Sequence, residues 1–447
     1  MHDIPARSPL ASVIDNREIG ARQYEVLGLC LLVAVLDGFD TQLMGFLVKP
    51  MADSLSIAPS SFGPVFAAAL FGLMVGALAL APLADLIGRK RVLLLSVLIF
   101  GAFALLTALV ERYDDLVWIR FMTGLGLGGA IPNLVALASE YMPRRSARIA
   151  VTLVFCGMPL GAVAAGLATQ WLLGLWSWQV MFVVGGVLPL VTVGLIAIRL
   201  PESMEFLARS PQRRTERDRV LGALFPAVDP TGTDRPQALP AHLRRMPVGQ
   251  LFRQGLWRRT LLLWLPYAMN LLILYSIMSW IPTVLATVAA PLSAGVLAIV
   301  LFSLGGVLGS LLQGHVMNRY GAYPVLLVEF AAYLILVVLM SVLPVELDRF
   351  LPMMLVLGIL VQGAQAGLNA VAVEIYPPAI RSTGVGWALG VGRIGSILGP
   401  IAGGLMLSHG WSLPQIFLAA LVPGALALGA VLALLLAPKT SADSAGV

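Results

Sequence analysis

Two aspartates three residues apart inside an apolar run are the first feature of this sequence that could do chemistry. They stand in Leu36-Asp37-Gly38-Phe39-Asp40. On a helix, positions i and i+3 share a face, so both carboxylates point the same way, beside Gly38 where another helix can approach. Two close carboxylates in a low dielectric cannot both ionise cheaply, which is what a reversible proton site needs. Two arginines lie in comparable surroundings. Arg120 opens Arg-Phe-Met-Thr-Gly-Leu-Gly-Leu-Gly-Gly, and Arg393 lies within Gly386-Trp387-Ala388-Leu389-Gly390-Val391-Gly392-Arg393-Ile394-Gly395. A guanidinium in such a run needs an anion, and its planar fork suits a carboxylate. Asp40 is the partner at matching depth for Arg120. For Arg393 two readings stand side by side: an anchor for an anionic substrate, or a partner for Asp37.

Further polar residues are candidates to line a cavity between helices: Tyr267, Asn270 and Tyr275, then Gln362, Gln365 and Asn369. Trp264 and Trp387 offer flat apolar walls. Glu329 reads as a structural charge near one membrane edge, and His315 as a surface residue.

The elements that must position these groups follow from composition. Of 447 residues, 59% are apolar and 12% charged, against roughly a quarter charged in average soluble proteins. Mean hydropathy is +0.90, the value of a chain solvated mostly by lipid. That excludes a soluble enzyme, a disordered chain and a nucleic-acid binder as whole-chain readings. Cys30 and Cys156 form neither a disulfide framework nor a ligand cluster, so no metal or other cofactor is expected. Residues 1–23 mix acidic and basic side chains, so the first apolar run is expected to be a retained helix and not a cleaved signal.

A hydrocarbon core of roughly 30 Å takes about 20 apolar residues per helix. Such runs occur at 24–46, 61–83, 92–110, 115–138, 149–170, 178–199, 259–282, 292–315, 323–344, 350–373, 383–407 and 412–437. The expected fold is therefore all-α, with twelve membrane-spanning helices in two bundles of six. The bundles cover 1–199 and 259–447, joined by an Arg- and Pro-rich linker at 200–258. Of the 29 basic residues, only Lys49, Arg112 and Arg349 fall in the odd-numbered loops, and Arg120 and Arg393 lie inside spans. The others cluster in the termini and even-numbered loops, which puts both termini in the cytoplasm. The net charge of +6 is thus a topology signal and no nucleic-acid patch.

The two halves repeat. Ala138-Ser139-Glu140-Tyr141-Met142-Pro143 closes the fourth span and Ala372-Val373-Glu374-Ile375-Tyr376-Pro377 the tenth, each followed by arginine (Arg144, Arg145 and Arg148, then Arg381). Asp85-Leu86-Ile87-Gly88-Arg89-Lys90-Arg91 follows the second span, and a degenerate copy, Asn318-Arg319-Tyr320-Gly321, follows the eighth. Asp85 ends a helix, Gly88 permits a tight turn, and Arg89 can reach Glu140 or Asp85. Such a cluster, with Glu374 and Arg381 as its second-half counterpart, can latch helix ends in one conformation and release them in another.

The Asp85–Arg91 loop resembles the loop between helices two and three of the major facilitator superfamily, departing from its pattern at Ala81 and Leu86. Pro201-Glu202-Ser203 is similar to the Pro-Glu-Ser of that superfamily's sugar and organic-ion branches. The Asp-Gly-Phe-Asp of span one, the Arg120 run of span four and the Arg393 run of span eleven resemble the aromatic acid:proton symporter family. The resemblance implies import of hydroxybenzoate-type carboxylates with protons across a bacterial inner membrane by a monomer working in the lipid bilayer. It implies coupling at Asp37, Asp40 and Arg120, anion binding at Arg393, and a conformational latch at Asp85, Arg89, Glu140 and Arg381. The alternatives are a transporter of another organic anion, such as a muconate-like dicarboxylate, and a proton-driven efflux antiporter. The Gly395-Ser396-Ile397-Leu398-Gly399-Pro400 string resembles an antiporter signature, but that signature belongs on span five. Here it reads as a kinked, closely packed helix.

Overall fold

The computed structural model describes residues 19–209, 213–224, 248–252, 256–288, 290–376 and 380–437. Among these residues, 12 helices are long and apolar enough to cross a membrane. The first six are α1 (Ala21–Leu55), α2 (Gly63–Ile87), α3 (Arg89–Thr107), α4 (Tyr113–Tyr141), α5 (Arg144–Leu172) and α6 (Trp178–Arg199). Two short helices, α7 (Met204–Arg209) and α8 (Arg214–Leu224), and a 3₁₀ turn at Val248–Phe252 occupy the linker. The second six are α9 (Leu256–Thr287), α10 (Leu292–Tyr320), α11 (Ala322–Val342), α12 (Leu347–Ile375), α13 (Arg381–Ser408) and α14 (Leu413–Leu436). Helices satisfy every backbone group within the segment, which lipid demands.

The first helix departs most from its expected length. It runs to Leu55 and takes in Lys49 and Pro50, which the hydropathy pattern alone assigns to a loop. Leu47, Val48, Met51 and Ala52 are buried in its last turns, and Lys49 pairs with Asp53 one turn on at 3.6 Å. Packing of the apolar face thus carries the helix past its charged residue.

The internal repeat reappears as a repeat of packing partners. Helix α1 lies on α5 as α9 lies on α13, α2 on α4 as α10 on α12, and α3 on α6 as α11 on α14. The α2–α4 and α10–α12 pairs approach at backbone contact. A Cβ on Gly124 or Gly128 would strike the α2 backbone, and one on Gly305 or Gly358 would strike the partner backbone in the second pair. Small residues of this kind drive close helix association in membranes. The turns after α2 and α10 also match, with Gly88 at φ 108° and Gly321 at φ 86°, a region that favours glycine.

Three apolar clusters show how the two sets of six helices meet. One joins both sets at the end remote from the described termini. It holds Leu43, Phe66 and Phe182 from the first six with Trp280, Val296 and Met354 from the second. At that end Gln42 donates to the Met278 carbonyl at 2.9 Å, and Phe66 meets the Trp280 ring edge-on at 5.5 Å. The other two clusters lie at the end bearing the termini and stay separate. Val33, Leu134 and Leu200 belong to the first, and Leu263, Leu368 and Val431 to the second. Among the described residues the two sets of helices therefore share one apolar core at the end remote from the termini and keep separate cores at the other.

Candidate functional site

Mid-depth between the two sets of helices, the charges singled out in the sequence come together. Arg120 of α4 donates from both terminal nitrogens to Asp40 of α1, at 3.2 Å to Oδ2 and 3.3 Å to Oδ1. It also donates to the Thr107 hydroxyl at 2.9 Å, and its guanidinium lies 5.1 Å from the centre of the Phe182 ring. Both side chains of the pair are 2% exposed. Charge-assisted, two-pronged bonds are the strong kind, and here they hold two charges taken out of bulk solvent.

Asp37, one turn before Asp40, is handled differently. It is fully buried. Its Oδ1 accepts from the Thr41 hydroxyl at 3.3 Å, while Oδ2 has no partner. The charges whose fields reach it are those of Arg393 and Asp40. Gly38 between the two acids lets the α5 backbone at Met158 come into contact with α1, so no side chain can intervene there.

Arg393 of α13 is half-buried and donates to the Tyr275 hydroxyl of α9 at 3.1 Å. Tyr275 and Ser279 of α9 and Asp40, Thr41, Arg120 and Thr123 of the first six helices line a common cavity of about 40 Å³. That is room for about three waters. A small chamber, walled mostly by apolar side chains such as Met44, Phe66 and Leu70, thus separates the Asp40–Arg120 pair from the tyrosine that holds Arg393.

The second-half polar residues form two hydrogen-bonded pairs between α9 and α12. Tyr267 donates to Asn369 Oδ1 at 2.7 Å. Asn270 donates to Gln365 Oε1 and to the Val361 carbonyl, each at 3.0 Å. Gln362 turns away to the Phe302 carbonyl of α10 at 3.2 Å, so it belongs to helix packing. Trp387 stacks on Trp264 with ring centres 6.0 Å apart and is 44% exposed.

The Arg89–Glu140 contact expected from the sequence is present in the first half and extends to residues that spacing did not join to it. Arg89 pairs with Glu140 and lies 3.4 Å from Glu205 of α7. Glu140 in turn accepts from the Ser203 hydroxyl at 2.6 Å. Glu202 accepts from the Lys90 and Ser203 amides at 2.9 and 2.8 Å, and Tyr141 donates to its carbonyl at 2.5 Å. The start of the linker is thereby tied to the α2–α3 turn. The Pro201-Glu202-Ser203 string was the signal in the sequence for this second part. Asp85 occupies the last turn of α2 and is exposed. Glu374 is exposed near the end of α12, and the side chain of its expected partner Arg381 lies outside the described residues.

A family model described as the Major Facilitator Superfamily matches residues 30–347 and 289–446. The chain belongs to this superfamily. It is 36% identical over 417 residues to the 4-hydroxybenzoate transporter PcaK of Pseudomonas putida, covering 93% of each chain. It is 36% identical over 423 residues to the gallate transporter of the same organism, covering 94% of this chain and 93% of that one. Among solved structures it matches a partially occluded, inward-open form of the E. coli xylose transporter XylE with a TM-score of 0.71, at 15% identity, over 94% of this chain and 99% of that one. The last likeness speaks for the fold alone. The relatives place this major facilitator protein in the aromatic-acid permease family, as the motifs on three helices implied. It is a multi-pass membrane transporter and not an enzyme.

Proposed function

We propose that this protein is a proton-coupled symporter that imports a hydroxybenzoate-type aromatic carboxylate by alternating access, as a monomer in a bacterial inner membrane. The bundles 1–199 and 259–447 are the moving bodies, 200–258 is the cytoplasmic linker, and both termini are cytoplasmic. The observation that carries this reading is the asymmetry of the two acids. Asp40 is neutralised by Arg120, whereas Asp37 is buried with an oxygen that has no partner and lies within the field of Arg393. One acid is fixed, one can take a proton, and a nearby guanidinium can receive an anion. The names of the relatives, transporters of 4-hydroxybenzoate and gallate, support the substrate class.

The energetics fit that arrangement. An organic anion entering a negative interior is opposed by about 2.3 kcal/mol per charge per 100 mV. One accompanying proton removes that opposition. In the proposed cycle a proton neutralises Asp37 from the outward-facing side and frees Arg393 to engage the substrate carboxylate. The Tyr267–Asn369 and Asn270–Gln365 pairs and Trp387 meet the ring and its substituents. The shared apolar core at the remote end and the separate cores at the terminal end support an inward-facing state for the conformation described here. Arg89, Glu140, Ser203 and Glu202 hold the first-half helix ends together in it, with Asp85, Glu374 and Arg381 completing the latch in other states.

The test is equilibrium binding of 4-hydroxybenzoate, gallate, benzoate and a neutral phenol to the purified protein and to Arg393→Ala. Acids should bind at least tenfold better than the phenol and lose that margin in the variant. Equal binding of phenol and acids by the wild type would remove the carboxylate-anchor reading.

A further inference from the structure

Glu329 is an acid at membrane depth that the cycle above does not use. It is the eighth residue of α11, about 10 Å along the axis from the helix start at 1.5 Å per residue. Its side chain is turned into the second bundle. Oε2 accepts from Nε2 of Gln313 on α10 at 3.1 Å, and Gln313 is 4% exposed. Gly363 of α12 closes the third side. A Cβ there would lie 3.2 Å from Glu329 Oε1 and 3.3 Å from Gln313 Oε1, so both oxygens border the same point and the missing side chain makes their room.

No cation faces this acid among the described residues. Helix α14, packed on α11, carries no titratable residue between Leu413 and Leu436. On α10 the charged or titratable candidates His315, Arg319 and Tyr320 are exposed, as are Asp348, Arg349 and Glu374 on α12. Asp40 and Glu140, by contrast, each have an arginine. An ionised Glu329 would set its oxygens beside the amide oxygen of Gln313 with no proton between them, and a bare carboxylate in lipid surroundings is costly. The neutral acid resolves both problems. It would accept from the amide nitrogen at Oε2 and carry its proton on Oε1, on the side of Gly363 that the Gln313 amide oxygen also borders.

We propose that Glu329 is a second proton-binding site, held as the neutral acid by Gln313 in this conformation and exchanging its proton during transport. The exchange step rests on the proton-coupled reading above. Helix α10 carries Gln313 and also packs on α5 of the first bundle, where Gln170 donates to the Ser293 carbonyl at 3.4 Å. The group that holds the proton is thus mounted on a helix that senses how the bundles stand to each other.

Two measurements test this. Dicyclohexylcarbodiimide reacts with protonated carboxyls in membranes: the acid proton goes to a carbodiimide nitrogen, the carboxyl oxygen bonds to its carbon, and the adduct rearranges to an N-acylurea with no leaving group. In protein reconstituted at pH 7, peptide mass spectrometry should find Glu329 modified at least tenfold more than exposed Asp348 or Glu374. Gln313→Lys, which supplies a cation, should lower that modification at least tenfold. Modification of Glu329 no greater than that of the exposed acids would overturn the neutral pair. Second, Glu329→Gln copies the shape of the neutral acid and should fold and bind 4-hydroxybenzoate within twofold of the wild type, while its proton-to-substrate ratio falls by one. An unchanged ratio would overturn the exchange step. If the wild type itself moves no protons with the acid, the symport reading and the exchange step fall together, and the labelling result still decides the protonated pair.

Discussion

The buried Asp40–Arg120 pair gives the sharpest quantitative test of how the first bundle is held together. Asp40→Ala leaves the guanidinium with only the Thr107 hydroxyl at 2.9 Å and the Phe182 ring at 5.1 Å. Removing one partner of a buried ion pair costs about 3–5 kcal/mol. Asp40→Asn keeps one acceptor, and a bond to a charged group contributes about 1.5–3 kcal/mol, so its cost should fall to about 2 kcal/mol. Arg120→Gln strands the carboxylate instead and should cost about 3–5 kcal/mol. The double variant Asp40→Asn/Arg120→Gln has two neutral amides in the same space. It should cost less than the sum of its singles by at least about 1.5 kcal/mol, within the range seen for directly coupled neighbours. Unfolding in a denaturing-detergent titration can be followed by alkylation of the free, buried thiols Cys30 and Cys156, which react only when their bundle opens. Additive single costs, or a cost below about 0.5 kcal/mol for Asp40→Ala, would refute the claim that this pair is buried and mutually dependent.

Three further outcomes follow from the geometry. Glu140→Gln removes the half-buried ion pair with Arg89 and should release the linker by about 1 kcal/mol, seen as roughly fivefold faster proteolysis within 200–224; an unchanged rate would contradict the latch. Where the two sets of helices share a core, a Cβ on Gly404 would lie 2.9 Å from the Ser60 carbonyl oxygen and 3.2 Å from the Trp280 ring. Gly404→Val should therefore spread the helices there and raise thiol labelling of a Ser279→Cys probe, at a position now 5% exposed, at least fivefold, whereas equal labelling would mean the contact tolerates bulk. Tyr275→Phe frees the Arg393 nitrogen that now donates to the tyrosine at 3.1 Å, and acid binding should tighten by about tenfold, the equivalent of 1.4 kcal/mol; weaker binding would show that Tyr275 contacts the substrate directly.

Much of this molecule is legible in its sequence because lipid leaves few choices. Apolar runs must be helices, their number is countable, and an arginine at depth must find a polar partner, so Arg120 and Asp40 could be matched by depth. What could not be read depends on packing between distant segments. The end of α1 was hidden because Lys49 looks like a loop residue until Met51 and Ala52 are seen to be buried. The roles of Glu202 and Ser203 arise where the linker folds back on the α2–α3 turn, more than 100 residues away in the chain from Lys90. Glu329 read as an edge charge because its depth was clear but its direction was not. Only the helix packing reveals Gln313 and Gly363 around it. The direction of Gln362 is likewise set by packing, its side chain crossing to the Phe302 carbonyl of α10.

The central claim is that carboxylate entry is driven by protons through Asp37 and anchored by Arg393. The direct measurement is uptake of radiolabelled 4-hydroxybenzoate into proteoliposomes under an inward acid gradient, with and without an uncoupler, for the wild type, Asp37→Asn and Arg393→Ala. The account predicts accumulation above equilibrium in the wild type, abolished by the uncoupler and lost in both variants, with Asp37→Asn retaining energy-independent exchange of internal for external substrate. Accumulation that ignores the uncoupler, or that survives in Asp37→Asn, would contradict it.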